Sequence, residues 1–158
     1  LTLEPRACDL VAIVREVALR FRTLHAHLDL RWSGPEAFWG QWDAARIDQL
    51  LTNLVGNAVK YAGESSVVEV TVTPASGGSA HLQVHDEGPG IPADKLALIF
   101  EPFRRADDSK SQKGLGLGLA IAREIALLHG GAIWVDSQLG RGTTFHVRLP
   151  TGGIRAPS

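Results

Sequence analysis

The sequence predicts an α/β fold of two layers: a mixed, mostly antiparallel sheet of about five strands, covered on one face by three helices. Three observations predict it. Apolar residues recur at helical spacing in three long segments, which start near Leu10, Ala44 and Leu117. Alternating segments come in hairpin-spaced pairs, Val67 to Thr73 with Ala80 to Asp86 and Ile133 to Asp136 with Thr143 to Leu149. Finally, the order helix, strands, helix, strand pair, polar loop, helix, strand pair leaves the helices to bury one side of a sheet. A chain of 158 residues suffices for one such core, and neither an internal repeat nor a second domain is visible.

In order along the chain, Leu1 to Cys8 reads as an extended opening segment, and Asp9 is a candidate N-cap. Leu10, Val14, Val17 and Phe21 keep helical spacing to about Arg22. Leu28 to Trp32 and Phe38 to Gly40 are short strand candidates flanking the Ser33-Gly34-Pro35 turn. In the second helix Ile47, Leu50, Leu51, Leu54, Val55 and Ala58 form one apolar stripe, and the Ala62-Gly63 step ends it. Asp94 to Phe100 reads as a short helix. Pro102 to Lys113 is a polar loop of the length that lids and binding loops have. His129-Gly130-Gly131 stops the third long helix, Gly140-Arg141-Gly142 turns the last hairpin, and Thr151 to Ser158 reads as a frayed tail.

Composition excludes several function classes. With 21% charged residues and a net charge of −1, the chain lacks the basic stripe of a nucleic-acid or membrane-surface binder. No apolar run reaches the roughly 18 residues of a transmembrane helix. The single cysteine, Cys8, forbids an internal disulfide and fits a reducing, cytoplasmic compartment. The six histidines are too scattered for a metal cluster.

Three places carry chemistry. Asn53, Asn57 and Lys60 share a stripe beside the buried seam of the second helix, because spacings of four and seven return to one face. Asn is a poor helix former, and two amide oxygens with an ammonium suit a Mg²⁺–phosphate group; a solvated polar face is the competing reading. Parity along the strand puts Asp86 on the apolar side with Ala80, Leu82 and Val84, where a carboxylate is expensive unless something hydrogen-bonds it. It would serve as acceptor for the exocyclic amine of a purine, with Gly88 and Gly90 letting the backbone lie against the ring; a plain turn is the alternative. Gly114-Leu115-Gly116-Leu117-Gly118 opens a helix and offers amides to an anion, or is a hinge. No strand leads into it, so the dinucleotide fingerprint fails, and no Gly-Lys-Ser or Gly-Lys-Thr supports a Walker loop. His85 falls on the opposite face from Asp86, which argues against a catalytic triad.

Taken in order, Asn53-x-x-x-Asn57-Ala58-x-Lys60-Tyr61, Asp86-x-Gly88-x-Gly90-Ile91, Phe100-x-Pro102-Phe103-x-Arg105 and Gly114-x-Gly116-x-Gly118-Leu119 resemble the N box, first glycine box, phenylalanine box and second glycine box of sensor histidine kinases. Gly140-x-Gly142-Thr143-x-Phe145 resembles the family's closing pattern. The resemblance runs from Leu3 to Pro150 and implies the Bergerat fold of the catalytic and ATP-binding domain, shared with gyrase B, MutL and heat-shock ATPase chaperones.

By that resemblance the cofactors are ATP and Mg²⁺. Asn57 would be the metal ligand, and Asn53 would hold a metal-bound water or phosphate. Lys60 would contact the phosphates and Tyr61 would pack along the ribose–phosphate side. Asp86 would accept the adenine amine with Thr143 assisting, and Gly88, Gly90 and Ile91 would line the base. Gly114, Leu115, Gly116, Leu117 and Gly118 would give amides to the phosphates, while Arg105 and Lys113 on the ATP lid would neutralise the transferred phosphoryl group. Catalytic weight would rest on Asn53, Lys60 and Arg105. Related ATPases carry a glutamate at the position of Asn53; an amide cannot take a proton from water, so transfer is expected over hydrolysis. Glu87, where many members carry Asn, and the sparse glycines at the lid end depart from the pattern.

No histidine of the chain sits in a phosphoacceptor context. The resemblance therefore implies a catalytic domain over residues 9–150, preceded by a linker remnant at 1–8 and followed by a flexible tail at 151–158. It would act as a monomer, without direct membrane contact, on the dimerisation helices of its parent kinase, which would pass the phosphoryl group to a response regulator. A serine kinase of the anti-sigma-factor type shares the fold and is the rival reading.

Overall fold

A computed structural model gives the fold, and the structure described here covers residues 1–62, 67–102 and 117–152. The elements are β1 (Arg6–Asp9), α1 (Leu10–Leu24), β2 (Asp29–Ser33), β3 (Trp39–Trp42), α2 (Ala44–Ala62), β4 (Val67–Ala75), β5 (Ser79–Asp86), α3 (Ala93–Leu96), α4 (Gly118–Leu128), β6 (Ala132–Ser137) and β7 (Thr143–Pro150). Five strands form one sheet in the order β2-β4-β5-β7-β6. Only β2 and β4 run parallel; the other three pairings are antiparallel. The α1, α2 and α4 helices pack on the sheet and on one another, and α2 lies in the middle. The two-layer sandwich expected from the element order is the one observed.

Its core lies between the layers. The inward face of β5 carries Ala80, Leu82 and Val84, all fully buried, with Val68, Val70 and Val72 on one side and Phe145, Val147 and Leu149 on the other. Against them sits the α2 stripe, in which Ile47, Leu50, Leu51, Leu54, Val55 and Ala58 are buried as their spacing required. Each such aliphatic side chain contributes about 1.5–3 kcal/mol on leaving water. The position of α2 is thus strongly determined, and so are the polar residues on its flank.

Caps fix where the helices begin. Asp9 caps α1, accepting from Val11 N at 3.0 Å and from Phe38 N at 2.8 Å. Asp43 caps α2: one carboxylate oxygen accepts from Arg46 N (3.2 Å) and the other from Glu4 N (2.9 Å). Hydrogen bonding to Glu4 N, with Arg46 N in support, holds the Asp43 carboxyl below the ordinary carboxylate range. Two side-chain links also join α4 to α2. Asn53 Nδ2 donates to the carbonyl of Gly118 at 3.0 Å, and His129 Nε2 accepts from Asp43 N at 3.0 Å while its Nδ1 lies 2.8 Å from the Ile125 carbonyl.

Several expectations shift. The opening segment is not merely extended: Arg6–Asp9 pairs antiparallel with Trp39–Trp42 in a separate two-stranded ribbon, so the 8/9 boundary falls inside a strand. The strand expected at Phe38 to Gly40 accordingly stands outside the main sheet and runs on to Trp42, whose fully buried indole donates to the Pro150 carbonyl at 2.8 Å. The helix expected over Asp94 to Phe100 is helical only at Ala93–Leu96. In the expected tail, Thr151 is tied down, its N–H donating to the Gly78 carbonyl and its carbonyl accepting from Gln41 N.

Candidate functional site

Between the C-terminal half of α2, the end of β5 and the segment leading into α3 lies a cavity of about 250 Å³. Asn57, Tyr61, Asp86, Gly90, Ile91 and Thr143 line it, so six of the residues singled out from sequence meet in one place. Asn57 and Tyr61 come from α2, one turn apart. Asp86 and Thr143 are direct cross-strand partners on β5 and β7. Pro89, Pro92, Lys95 and Phe145 complete the wall and were not foreseen. Phe145 was legible as a strand residue of the closing pattern, and Lys95 only as part of the short helix expected over Asp94 to Phe100.

Asp86 is the chemical centre of the wall. It is 3% exposed, on the same strand face as the fully buried Ala80, Leu82 and Val84. Its Oδ1 accepts one hydrogen bond, from Gly88 N at 2.9 Å. Burial pushes the carboxyl above the ordinary range, and the Gly88 bond only partly offsets that. A side chain added at Gly88 would crowd this carboxylate and the Ala62 backbone, so the glycine keeps the turn against α2. Gly90 has φ +82°, and a Cβ there would strike the Gln138 backbone. Thr143 is 5% exposed, and its hydroxyl lies 2.8 Å from Ser137 Oγ, which also accepts from Ile91 N at 2.8 Å. Sequence reading missed Ser137, whose only signal was its place opposite Thr143 across the last hairpin.

At the other end the geometry is open and polar. The carboxamide of Asn57 is half-buried, lines the cavity and makes no side-chain hydrogen bond among the described residues. Asn53, one turn earlier, spends its amide N–H on Gly118 and keeps its oxygen; Lys60 is exposed on the same flank. Leu117 and Gly118 open α4 beside Asn53. Arg105, Lys113, Gly114, Leu115 and Gly116 lie outside the described residues. The described residues hold no cluster of three His, Cys, Asp or Glu fit for a metal. A cation here would therefore depend on carboxamide oxygen and on the ligand's own oxygens, a hard, sparse set of the kind Mg²⁺ accepts from phosphates.

A cavity with one buried carboxylate and a carboxamide in its wall has known counterparts. The family described as histidine kinase-, DNA gyrase B- and HSP90-like ATPase matches residues 42–153. The chain belongs to this ATPase family. Within it, the chain is similar to histidine kinases. The adaptive-response sensory kinase SasA of Synechococcus elongatus is 37% identical over 108 residues, which are 68% of this chain and 28% of that kinase. The chain thus spans little more than a quarter of the curated relative's length. The catalytic domain of histidine kinase ThkA superposes with a TM-score of 0.84 at 30% identity, covering 94% of this chain and 97% of that domain. Full-length ShkA in complex with AMPPNP gives 0.84 at 33% identity, covering all of this chain and 33% of ShkA. ThkA has also been solved in complex with the response regulator protein TrrA, matching at 29% identity over 94% of this chain and 42% of that one, TM-score 0.79. The chain is therefore a sensor histidine kinase catalytic domain, and membership in the ATPase family implies that it binds ATP.

Proposed function

We propose that this domain holds Mg²⁺–ATP with adenine against Asp86 and delivers the γ-phosphoryl group to a histidine on separate dimerisation helices. The observation that carries the reading is Asp86: a carboxylate buried at the cavity wall, with one internal hydrogen bond and room for another. An exocyclic amine supplies the donor that this carboxylate lacks. Gly90 and Ile91 give the ring a flat backbone and an apolar contact, and Tyr61 closes the ribose side. Asn57 would hold Mg²⁺ through its free carboxamide oxygen, with Asn53 one turn away; bound there, the ion would neutralise phosphate charge. Lys60 contacts the phosphates as a point charge. The resemblance would give Arg105 and Lys113 the task of neutralising the transferred group, and Gly114 to Gly118 that of offering amides to the phosphates.

Positioning is the domain's share of the chemistry. The acceptor imidazole nitrogen attacks the γ-phosphorus as the bond to the bridging oxygen breaks, and ADP leaves with that oxygen. Asn53 offers no base to water, so the nucleotide waits for an incoming histidine. That histidine belongs to helices which dock beside Phe100, Pro102, Leu127 and Leu128, an open groove at the far end of α4. Leu127 and Leu128 are large apolar residues left exposed there. The response regulator takes the phosphoryl group from those helices, and ThkA bound to TrrA is the precedent. In this reading residues 9–150 are a monomeric cytoplasmic unit joined through 1–8 to its parent.

Mixing the chain with a separate histidine-bearing dimerisation domain and γ-labelled ATP tests the reading. Acid-labile, base-stable label on that domain is the expected result. Acid-stable label on serine would replace it with the serine-kinase reading.

A further inference from the structure

Ser137 lies behind the cavity wall and touches three groups at once. Its Oγ accepts from Ile91 N (2.8 Å), donates to the Gly142 carbonyl (3.0 Å) and lies 2.8 Å from Thr143 Oγ1. A hydroxyl has one hydrogen and two lone pairs, so three bonds saturate it. Giving the hydrogen to Gly142 leaves the two lone pairs for the Ile91 N–H and the Thr143 O–H, and every donor is used. The reverse assignment, Ser137 donating to Thr143, would leave the Gly142 carbonyl facing a lone pair at 3.0 Å, since a carbonyl can only accept.

We propose that Ser137 is a positioning residue for base discrimination, locking Thr143 as a hydrogen-bond acceptor toward the cavity. The inference rests on the adenine reading of the site and adds what selects the base. With Thr143 committed to Ser137, the edge of the wall formed by Asp86 and Thr143 presents lone pairs only. Those two acceptors match a purine with a 6-amino group and its two N–H donors. A 6-oxo purine presents an acceptor to the same wall and is repelled. The backbone enforces the arrangement, because Asp86 and Thr143 are cross-strand partners and Gly142 packs on the Asp86 carbonyl too closely for any side chain. Ser137 also fixes Ile91, so one hydroxyl sets both the apolar floor and the polar edge of the base slot.

The test is titration calorimetry of the domain with ADP and with inosine 5′-diphosphate, both with Mg²⁺. In Ser137→Ala the Thr143 hydroxyl is released and can turn its hydrogen toward a 6-oxo group. The ADP preference is expected to fall about three- to tenfold, the size of one neutral hydrogen bond. Ser137→Thr, which keeps the hydroxyl, should restore it. Thr143→Val leaves Ile91 its acceptor on Ser137, so it probes the same hydroxyl even where Ser137→Ala loosens the loop. The preference should fall in Thr143→Val and fall no further when Ser137→Ala is added. An unchanged preference in either single variant overturns the role of Ser137, as does an equal further loss in the double variant. A wild-type domain that binds the two nucleotides alike overturns the adenine reading as well.

Discussion

Replacing Asp86 with Asn separates binding from folding. The carboxylate is 3% exposed, and burial is the main cause of its raised pKa. The native state therefore holds the Asp86 proton more tightly than the unfolded chain does. The stability this group contributes is full below its unfolded pKa and declines as pH rises through the raised native value. At pH 7 the charged form is a net cost. An amide of the same shape can still accept from Gly88 N and carries no charge to desolvate. Asp86→Asn should raise the melting temperature at pH 7, by about 2–4 °C for each kcal/mol recovered in a domain of this size. The gain should shrink as pH falls through the raised native value, because the wild-type carboxyl then takes up its proton. Binding moves the other way. The adenine amine loses a charged acceptor worth about 1.5–3 kcal/mol, or roughly ten- to 150-fold in affinity. Calorimetric ADP titration and thermal melts from pH 4 to 8 read both effects. Undiminished ADP affinity would refute the adenine assignment; a lower melting temperature at pH 7 would refute the claim that the buried charge costs stability.

Three further outcomes are expected. Asn57→Ala should abolish the Mg²⁺ dependence of nucleotide binding with little change in melting temperature, read by titration with and without EDTA. Asp43→Ala should cost about 1 kcal/mol of stability through the lost cap. Because its carboxyl sits below the ordinary range, Asp43 contributes above its unfolded pKa, and the gap between variant and wild type should close as pH falls through the native value. Gly90→Ala should destabilise by about 1–3 kcal/mol and weaken ADP binding, since φ +82° and the Gln138 backbone both oppose a Cβ; a melt within 1 °C of wild type would contradict this.

What the sequence disclosed followed physical period. The α2 stripe was readable because a 3.6-residue repeat and full burial coincide, and with it came Asn53, Asn57 and Lys60 on its flank; Tyr61 came only with the family resemblance. Asp86 was readable because strand parity sets a carboxylate among Ala80, Leu82 and Val84. The β1–β3 ribbon was not, since Arg-Ala-Cys-Asp has no alternation and its pairing depends on a partner about thirty residues away. Ser137 was hidden for the same reason: its three bonds exist only once the β6–β7 turn closes and the Gly90 loop settles on it. The lining roles of Pro89, Pro92 and Lys95 depend on how that loop folds back, which neither period predicts.

The two clasps between α2 and α4 have a consequence for measurement. Asp43 N–H, on the residue that caps the central helix, is closed off by an imidazole carried at the far end of the other. Its deuterium uptake therefore clocks how often α4 unseats, without any probe on α4 itself. A ligand that stiffens the Asn53 clasp should slow that uptake some fifteen ångströms away, about ten helical rises along α2, making a single backbone proton a gauge of whether the nucleotide end and the far end open together.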